Sequence, residues 1–326
     1  MRQNPRHGTR PWLLYGATGH TGGLIAQHAM DRGHRPVLAG RSASAVAEAG
    51  ERFNLPHRVL ALDDAPGLRA ALGDVELVLN AAGPFLHTAA PLAEACLDAG
   101  VHYLDIGNEL QAFLALYELD ERARRAGVSI IPGVGFGVVA TNCLARQVSE
   151  AVGGAERLEV AAKIASPQPG PGAAAAMKAN LPFGGWIRQG GELVQQELFS
   201  GTVTIDFPDG PSAATPVPTG DLEAAYHATG APNIISYAAR PLDAPTPGDQ
   251  AVGSQTYRSF GWARATGADG ATAESVLETG DAYAFTTAAS VRAVEETLAR
   301  SLAGASSPAS AFGTDFILTI EHTTRV

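Results

Sequence analysis

The first half of the chain alternates short apolar runs with longer stretches in which apolar residues recur with helical spacing. Short apolar runs are typical of buried strands, and the periodic stretches are typical of helices that cover a sheet. The pattern predicts strands at residues 12–15, 36–39, 58–62, 75–81, 101–106 and 128–131, and helices at 22–32, 44–53, 66–72, 89–99 and 109–125. Strands that alternate with helices form parallel sheets, so the predicted fold class is α/β with a Rossmann-type doubly wound parallel sheet.

The pattern changes after Pro132, where alternating strand-like runs become common. They predict a second, α+β domain with a mixed or antiparallel sheet over residues 133–280, and a C-terminal helix and strand within residues 281–326. The predicted strands lie at residues 158–165, 202–207, 233–239, 257–265 and 316–320, and the predicted helices at 141–152, 173–180 and 288–302. The first domain then comprises residues 1–132.

Composition narrows the classes of function. The chain has 326 residues, enough for two domains, and a formal charge of −10, which argues against a nucleic-acid partner. Its two cysteines, Cys96 and Cys143, cannot form a disulfide framework and have no metal-ligand spacing around them. The polar start does not resemble a secretory signal, and no stretch approaches the roughly 20 apolar residues that span a bilayer. We therefore expect a cytoplasmic protein without a metal site or a membrane span.

The strongest motif is a glycine-rich loop between the first strand and the first helix. It reads Gly16, Ala17, Thr18, Gly19, His20, Thr21, Gly22, with glycines three residues apart. The first glycine permits a tight turn, the second lets the backbone approach a pyrophosphate, and the third lets helix and strand pack closely. The amides at the helix start then face the phosphates. We expect Gly16, Thr18, Gly19, His20, Thr21 and Gly22 to bind a dinucleotide.

The residues after the second strand predict which dinucleotide binds. NAD sites commonly have an acidic residue here for the ribose 2′-hydroxyl, whereas this chain has Arg41 and Ser42. A guanidinium suits a 2′-phosphate, so the predicted cofactor is NADP. Asp63, after the third strand, is expected near the adenine, although a solvated turn is an equal alternative.

Ligands of doubly wound sheets lie beyond the carboxyl ends of the strands, where the strand order reverses. This rule places the residues after the fourth strand at the nicotinamide end: Ala81, Ala82, Gly83 and Pro84. Candidate proton donors are Lys178 and Tyr226, with His227 beside the latter. Solvated or packing roles are the competing interpretation for all three side chains. Residues 170–186 are rich in Ala, Gly and aromatic residues, which favours an apolar substrate.

These motifs, with Asn80–Phe85, Val101–Ile106 and Pro132–Phe136, resemble the saccharopine dehydrogenase-like NADP-binding family. Within that family, the chain is similar to the bacterial branch of trans-acting enoyl reductases. The resemblance implies NADPH-linked reduction of a C=C, C=N or C=O bond, a homodimer, and C-terminal elements that return to the first domain. The chain departs from the family at Gly137, Asn142 and Thr219, where relatives carry two acids and a tryptophan. A biosynthetic reductase, an NADP-sensing protein and a non-redox cyclase or isomerase on the same scaffold all stay open.

Overall fold

A computed structural model describes residues 10–165, 171–242 and 257–326 of the chain, with the side chains of 171–174 and 177 left aside. Its first-half strands are β1 Trp12–Tyr15, β2 Val37–Gly40, β3 His57–Val59, β4 Leu77–Asn80, β5 His102–Asp105 and β6 Ser129–Ile131. The later strands are β7 Ala155–Lys163, β8 Gly185–Gln189, β9 Glu192–Gln196, β10 Val203–Phe207, β11 Gly210–Pro216, β12 Asn233–Pro241, β13 Ser259–Gly267, β14 Thr272–Thr279, β15 Gly304–Ala305 and β16 Thr324–Arg325.

Helices cover both sheets. The first-half helices are α1 His20–Asp31, α2 Ala43–Phe53, α3 Ala65–Leu72, α4 Phe85–Ala99, α5 Leu110–Tyr117 and α6 Asp120–Ala126. The later ones are α7 Phe136–Ala151, α8 Pro171–Asn180, α9 Asp221–Thr229, α10 Ala282–Ala299 and α11 Pro308–Phe312, with short 3-10 turns at Leu181–Phe183 and Thr314–Thr319.

The first sheet has seven parallel strands in the order β15-β6-β5-β4-β1-β2-β3. The predicted doubly wound α/β fold is therefore confirmed. The strand order reverses between β1 and β4, and the strands on either side of this point are buried, as the continuous apolar runs indicate. Their carboxyl ends form a crevice, and the loops after β1, β2, β4, β5 and β6 surround it.

The second sheet has nine strands and is mixed, as predicted. Its main path runs β10-β11-β12-β7-β13-β14-β16, with the β8–β9 hairpin attached to β12. The β12–β7 pair is parallel, and the other pairs are antiparallel. Helix α7 packs on this sheet and connects it with the end of β6.

The end of the chain returns to the first sheet, as the family resemblance implies. Strand β15 pairs with β6, and helix α10 packs against α1, β4 and β5. Helix α10 thereby covers the part of the sheet on the α1 side that the first-half helices leave open. The proposed domain boundaries stay predictions, but the first sheet is built from both ends of the chain.

Several predicted elements are wrong in detail. Residues 109–125 form two helices, α5 and α6, because the helical hydrogen-bond pattern is interrupted at Leu119, whose amide donates to the Leu116 carbonyl. The helix predicted from residue 141 begins at Phe136, because extended Gly135 caps it directly after the turn at Pro132–Gly133. The predicted strand 316–320 is the 3-10 turn Thr314–Thr319, whose Phe316 and Ile317 are buried. Such a short apolar run does not distinguish a strand from a buried turn.

An ion cluster joins the end of α10 to the end of α1. Glu295 accepts hydrogen bonds from Arg32 Nε at 2.8 Å and Arg32 Nη2 at 2.9 Å. The same carboxylate lies 3.0 Å from His34 Nε2 and 3.1 Å from Arg292 Nη1. Although burial works in the opposite direction, these partners together lower the pKa of Glu295 to about 2. The ionised carboxylate therefore stabilises the docking of the C-terminal helix.

We predict that Glu295→Gln lowers the free energy of unfolding near neutral pH by on the order of 2 kcal/mol. A carboxyl whose pKa is depressed by folding contributes stability above its unfolded pKa of about 4.5, and loses it as pH falls toward about 2. The difference between wild type and variant in urea unfolding should therefore shrink from about pH 6 to about pH 3. Glu121→Gln, at an exposed ion pair, is the matched control. A difference that does not change with pH would contradict this assignment.

Candidate functional site

The glycine-rich loop lies at the carboxyl end of β1 and leads directly into α1. Gly19 is the extended N-cap residue of α1 and has no side chain that could cap the helix. Its own amide donates to the Gly16 carbonyl at 3.0 Å, which closes the turn. Thr18, Gly19 and His20 are exposed at the crevice. The start of α1 thus presents backbone N–H groups and the positive end of the helix dipole, as an anion site requires.

Two of the glycines leave no room for a side chain. Gly16 has a positive φ of 88°, and a Cβ built on it would lie 2.7 Å from the Ala82 amide nitrogen. A Cβ on Gly22 would lie 2.1 Å from the Gly16 carbonyl oxygen. The loop after β1 is therefore packed tightly against α1 on one side and against the loop after β4 on the other. This is the close packing that the motif predicts.

Arg41 and Ser42, the residues predicted to bind the 2′-phosphate, follow the end of β2. Arg41 is exposed, and the Ser42 hydroxyl caps α2 by accepting the Ala45 amide at 3.5 Å. Burial raises the pKa of Tyr15, with the nearby charge of Arg41 acting against the shift and that of Asp63 adding to it. The structure thus brings Arg41 and Asp63 to the same end of the sheet, around Tyr15. A dinucleotide on the loop after β1 would place its adenosine half here.

Asn80, at the end of β4, fixes the loop that contains Ala81, Ala82, Gly83 and Pro84. Its Oδ1 accepts the Ala82 amide at 3.0 Å, and its Nδ2 donates to Thr88 Oγ1 at 3.2 Å. Thr88 in turn donates to the Ala82 carbonyl at 2.7 Å. These bonds hold the loop from both ends at the switch point of the sheet.

A buried carboxyl joins this loop to the next two. Asp105 accepts the Tyr103 hydroxyl at 2.9 Å, the Gly107 amide at 2.9 Å and the Gly133 amide at 3.0 Å. Tyr103 also accepts a hydrogen bond from Asn80 Nδ2 at 3.1 Å. Burial raises the pKa of Asp105 to about 6. One network therefore orders the loops after β4, β5 and β6, where the sequence analysis predicts the nicotinamide end of the site.

Two further acids lie at this edge. Glu109 is buried and accepts the Leu86 amide in the first turn of α4, and its burial raises its pKa. Asp221, at the start of α9, accepts the hydroxyls of Thr141 and Thr219, the latter at 2.8 Å, and the amide group of Asn108 at 3.4 Å. Burial raises the pKa of Asp221 as well. Asp221 links the loop after β5 with α7 and the second sheet, so these polar contacts join the two halves of the chain.

The predicted proton donors lie in different places. Lys178 is exposed on α8, which packs against α4, the helix that begins at the crevice. Tyr226 lies under the Arg188 guanidinium, whose carbon is 3.8 Å from the ring centre. The neighbouring His227 stacks on Tyr117 with ring centres 3.7 Å apart. Tyr117 ends α5, a helix that starts beside the crevice and extends roughly 10 Å from it. The structure therefore leaves Lys178 exposed on a helix that contacts α4, and it packs Tyr226 against the Arg188 guanidinium, which pairs with Glu223.

The described residues were also compared with the requirements of a metal site and of a membrane-spanning helix. Among residues 10–165, 171–242 and 257–326, no group of three or more His, Cys, Asp or Glu side chains could hold a metal ion. Within the same residues, no helix is long and apolar enough to span a bilayer.

Comparison with known proteins identifies the first sheet and its loops. Residues 12–131 match the family model described as saccharopine dehydrogenase NADP binding domain. Over these residues the chain is similar to the NADP-binding domain of saccharopine dehydrogenases. The matched segment, called the NADP-binding domain below, includes the glycine-rich loop, Arg41, Asn80 and Asp105, and the family model names the cofactor that Arg41 predicts.

Relatives show similarity over part of their length. A trans-acting enoyl reductase of Mycobacterium tuberculosis is 36% identical over 134 residues, which cover 38% of this chain and 32% of that protein. A saccharopine dehydrogenase-like oxidoreductase of Arabidopsis thaliana is 30% identical over 142 residues, with 38% and 31% covered. The match thus spans about a third of the length of these relatives.

One solved structure resembles the whole fold. Saccharopine dehydrogenase (L-Glu forming) of Saccharomyces cerevisiae superposes with a TM-score of 0.63, covering 97% of this chain and 100% of that one. Its sequence identity of 12% shows the fold alone. The arrangement of the NADP-binding domain beside a second sheet is therefore shared with that enzyme.

The residues of the NADP-binding domain fit NADP. The α1 N-terminus lacks a side-chain cap, and the two tightly packed glycines bring its backbone close to the diphosphate position. Arg41 and Ser42 would hold the 2′-phosphate. The loop from Ala81 to Pro84 would face the nicotinamide ribose. The sequence analysis did not identify the Asp105 network, because its partner Gly133 comes close to Asp105 only in the folded chain.

Proposed function

We propose that this protein is an NADPH-dependent reductase of a C=C, C=N or C=O bond in a small, apolar metabolite. The observation that carries the proposal is the combination of an uncapped α1 N-terminus in a glycine-rich loop and Arg41 at the end of β2. The NADP-binding family of residues 12–131 and the oxidoreductase relatives support the same reading. The finer assignment to enoyl reduction rests on the mycobacterial relatives.

Different loops of the crevice would bind different parts of the cofactor. When bound, the cofactor supplies a hydride from its nicotinamide ring to an acceptor pressed against it. The α1 amides and Arg41 would bind its phosphates, and the loops tied together by Asn80 and Asp105 would orient its nicotinamide half. Orientation of this kind supplies much of the rate of a hydride transfer, because the reacting atoms start close together.

A substrate panel tests the proposal. Purified protein is mixed with NADPH and, in turn, an α,β-unsaturated thioester, an imine and an aldehyde, and the loss of NADPH absorbance is followed with product analysis. We expect reduction of at least one of these bonds with one NADPH consumed per product. Product formed without NADPH loss would instead favour a cyclase or isomerase. NADPH binding without conversion of any acceptor would favour a sensor.

Lys178 stays our predicted proton donor, supported by its position on α8 beside α4. Lys178→Ala should lower kcat by roughly 100-fold and leave the NADPH dissociation constant unchanged, because general acid catalysis contributes about 10²–10⁴. Tyr226→Phe is the comparison, since the packed setting of Tyr226 under Arg188 favours a structural role. Unchanged kcat in Lys178→Ala would remove this residue as the donor, and a large loss in Tyr226→Phe would restore Tyr226.

A homodimer and a cytoplasmic location also stay predictions. Two exposed apolar side chains support association through the second sheet: Val203, in its edge strand β10, and Phe199, in the segment before that strand. Light scattering on the purified protein measures the assembly directly.

A further inference from the structure

Helix α10 lies beside α1 and runs in the same direction. Tyr283, near the start of α10, contacts His20, the first residue of α1, with ring centres 5.1 Å apart. Glu295, near the end of α10, pairs with Arg32 just beyond the end of α1. The N-termini of the two helices are therefore adjacent, and so are their C-terminal ends. As a result, the first turn of α10 lies at the same crevice as the phosphate-binding loop.

This first turn of α10 bridges two loops of the crevice. Tyr283 packs edge-on against His20, with an interplanar angle of 88°, in the loop after β1. Thr286 Oγ1 accepts the Phe136 amide at 3.0 Å, in the segment after β6. A Cβ built on the preceding Gly135 would lie 3.1 Å from Thr286 Cγ2, so the backbone and the helix are in close contact. The turn therefore extends from the diphosphate position toward the nicotinamide side.

Tyr283 differs in its exposure from the aromatic residues of the core. Its ring is half-buried, the next residue, Ala284, is exposed, and its partner His20 is exposed as well. Core aromatics of this fold, such as Phe136 and Phe285, are instead almost fully buried. The edges of aromatic rings carry partial positive charge, and the exposed imidazole of His20 offers a hydrogen-bond donor. Such a pair suits the phosphate and ribose oxygens of a nucleotide.

We propose that the ring of Tyr283, held against His20, forms a second wall of the cofactor site and contacts the nicotinamide-side phosphate and ribose of NADP. The inference rests on the proposed function. It means that residues beyond 280, outside the NADP-binding domain at 12–131, complete the binding site.

Calorimetric titration with two ligands tests whether Tyr283 contacts the nicotinamide half of the cofactor. NADP⁺ contains both halves of the cofactor, whereas 2′,5′-ADP contains the adenosine half alone. We expect Tyr283→Ala to weaken NADP⁺ binding by about tenfold, because the contact of the ring is lost, and 2′,5′-ADP binding by less than about twofold. Tyr283→Phe keeps the ring and should stay within about threefold of wild type for NADP⁺. Ala284→Ser, on the exposed side of the same turn, is the matched control.

The possible results distinguish failure of the Tyr283 proposal from failure of the proposed function. A selective loss of NADP⁺ affinity in Tyr283→Ala, with Tyr283→Phe close to wild type, supports the wall. Unchanged NADP⁺ affinity, or equal loss for both ligands, overturns it. If the alanine variant does not fold, Tyr283→Leu keeps apolar bulk beside His20 and gives the same comparison. Wild-type protein that binds neither ligand would instead refute the proposed function.

Discussion

Replacing Gly22 with alanine is expected to weaken NADPH binding by roughly 100-fold, the equivalent of losing one or two hydrogen bonds to a charged group. The new Cβ would lie 2.1 Å from the Gly16 carbonyl oxygen and 2.9 Å from Ala17 Cα. Both contacts are with backbone, so the loop itself has to move. The α1 amides would then no longer point at the diphosphate. Such overpacking should also cost about 1–3 kcal/mol of folding stability.

The neighbouring Gly23 gives a matched control. A Cβ on Gly23 finds its nearest contact at 4.0 Å, at the Ala17 carbonyl oxygen, so Gly23→Ala fits without strain. Because glycine costs about 1 kcal/mol relative to alanine inside a helix, Gly23→Ala should be as stable as wild type or more so. NADPH titration and urea unfolding of the two variants make the comparison. If Gly22→Ala binds NADPH as tightly as Gly23→Ala, the proposed geometry of the loop is wrong.

Replacing Arg41 with aspartate is expected to change the coenzyme preference. The substitution removes a guanidinium that would bind the 2′-phosphate and adds a carboxylate that repels it. The dissociation constant for NADPH should rise by roughly 100-fold, whereas that for NADH should change by less than about threefold, because NADH has no 2′-phosphate. The apparent KM values should follow the same pattern once a substrate is known.

Arg52→Asp is the control for the change of charge. Arg52 lies near the end of α2, whereas Arg41 lies just before its start, so the two arginines are separated by the length of the helix. We expect Arg52→Asp to leave the ratio of NADPH to NADH affinity unchanged. An equal effect of Arg41→Asp on both coenzymes would show that Arg41 acts through the fold and does not contact the 2′-phosphate.

Strands β1, β2, β4 and β6 of the first sheet were predictable from the sequence because each is a short, mostly apolar run whose residues are buried. Elements after residue 132 were harder, since their positions depend on tertiary contacts. The start of α7 depends on the extended backbone of Gly135, and the 3-10 turn at Thr314–Thr319 depends on the burial of Phe316. Strand β15 has two residues and exists because β6 offers it an edge, so no local pattern could indicate it.

The candidate site shows the same division. The glycine-rich loop and Arg41 were predictable because local sequence determines a tight turn and the residue after a strand. Asp105 could not be recognised in the same way. Its importance comes from Gly133, a partner 28 residues away in sequence, and from its burial. Likewise, the contact between Tyr283 and His20 depends on the return of α10 to the first sheet.

Calorimetric titration of the wild-type protein with NADPH and with NADH tests the central claim most directly. The α1 amides and Arg41 together predict saturable binding of NADPH, with one site per chain and an affinity at least about tenfold higher than for NADH. Absence of binding heat with both coenzymes, or tighter binding of NADH, would contradict the assignment of this crevice to NADPH.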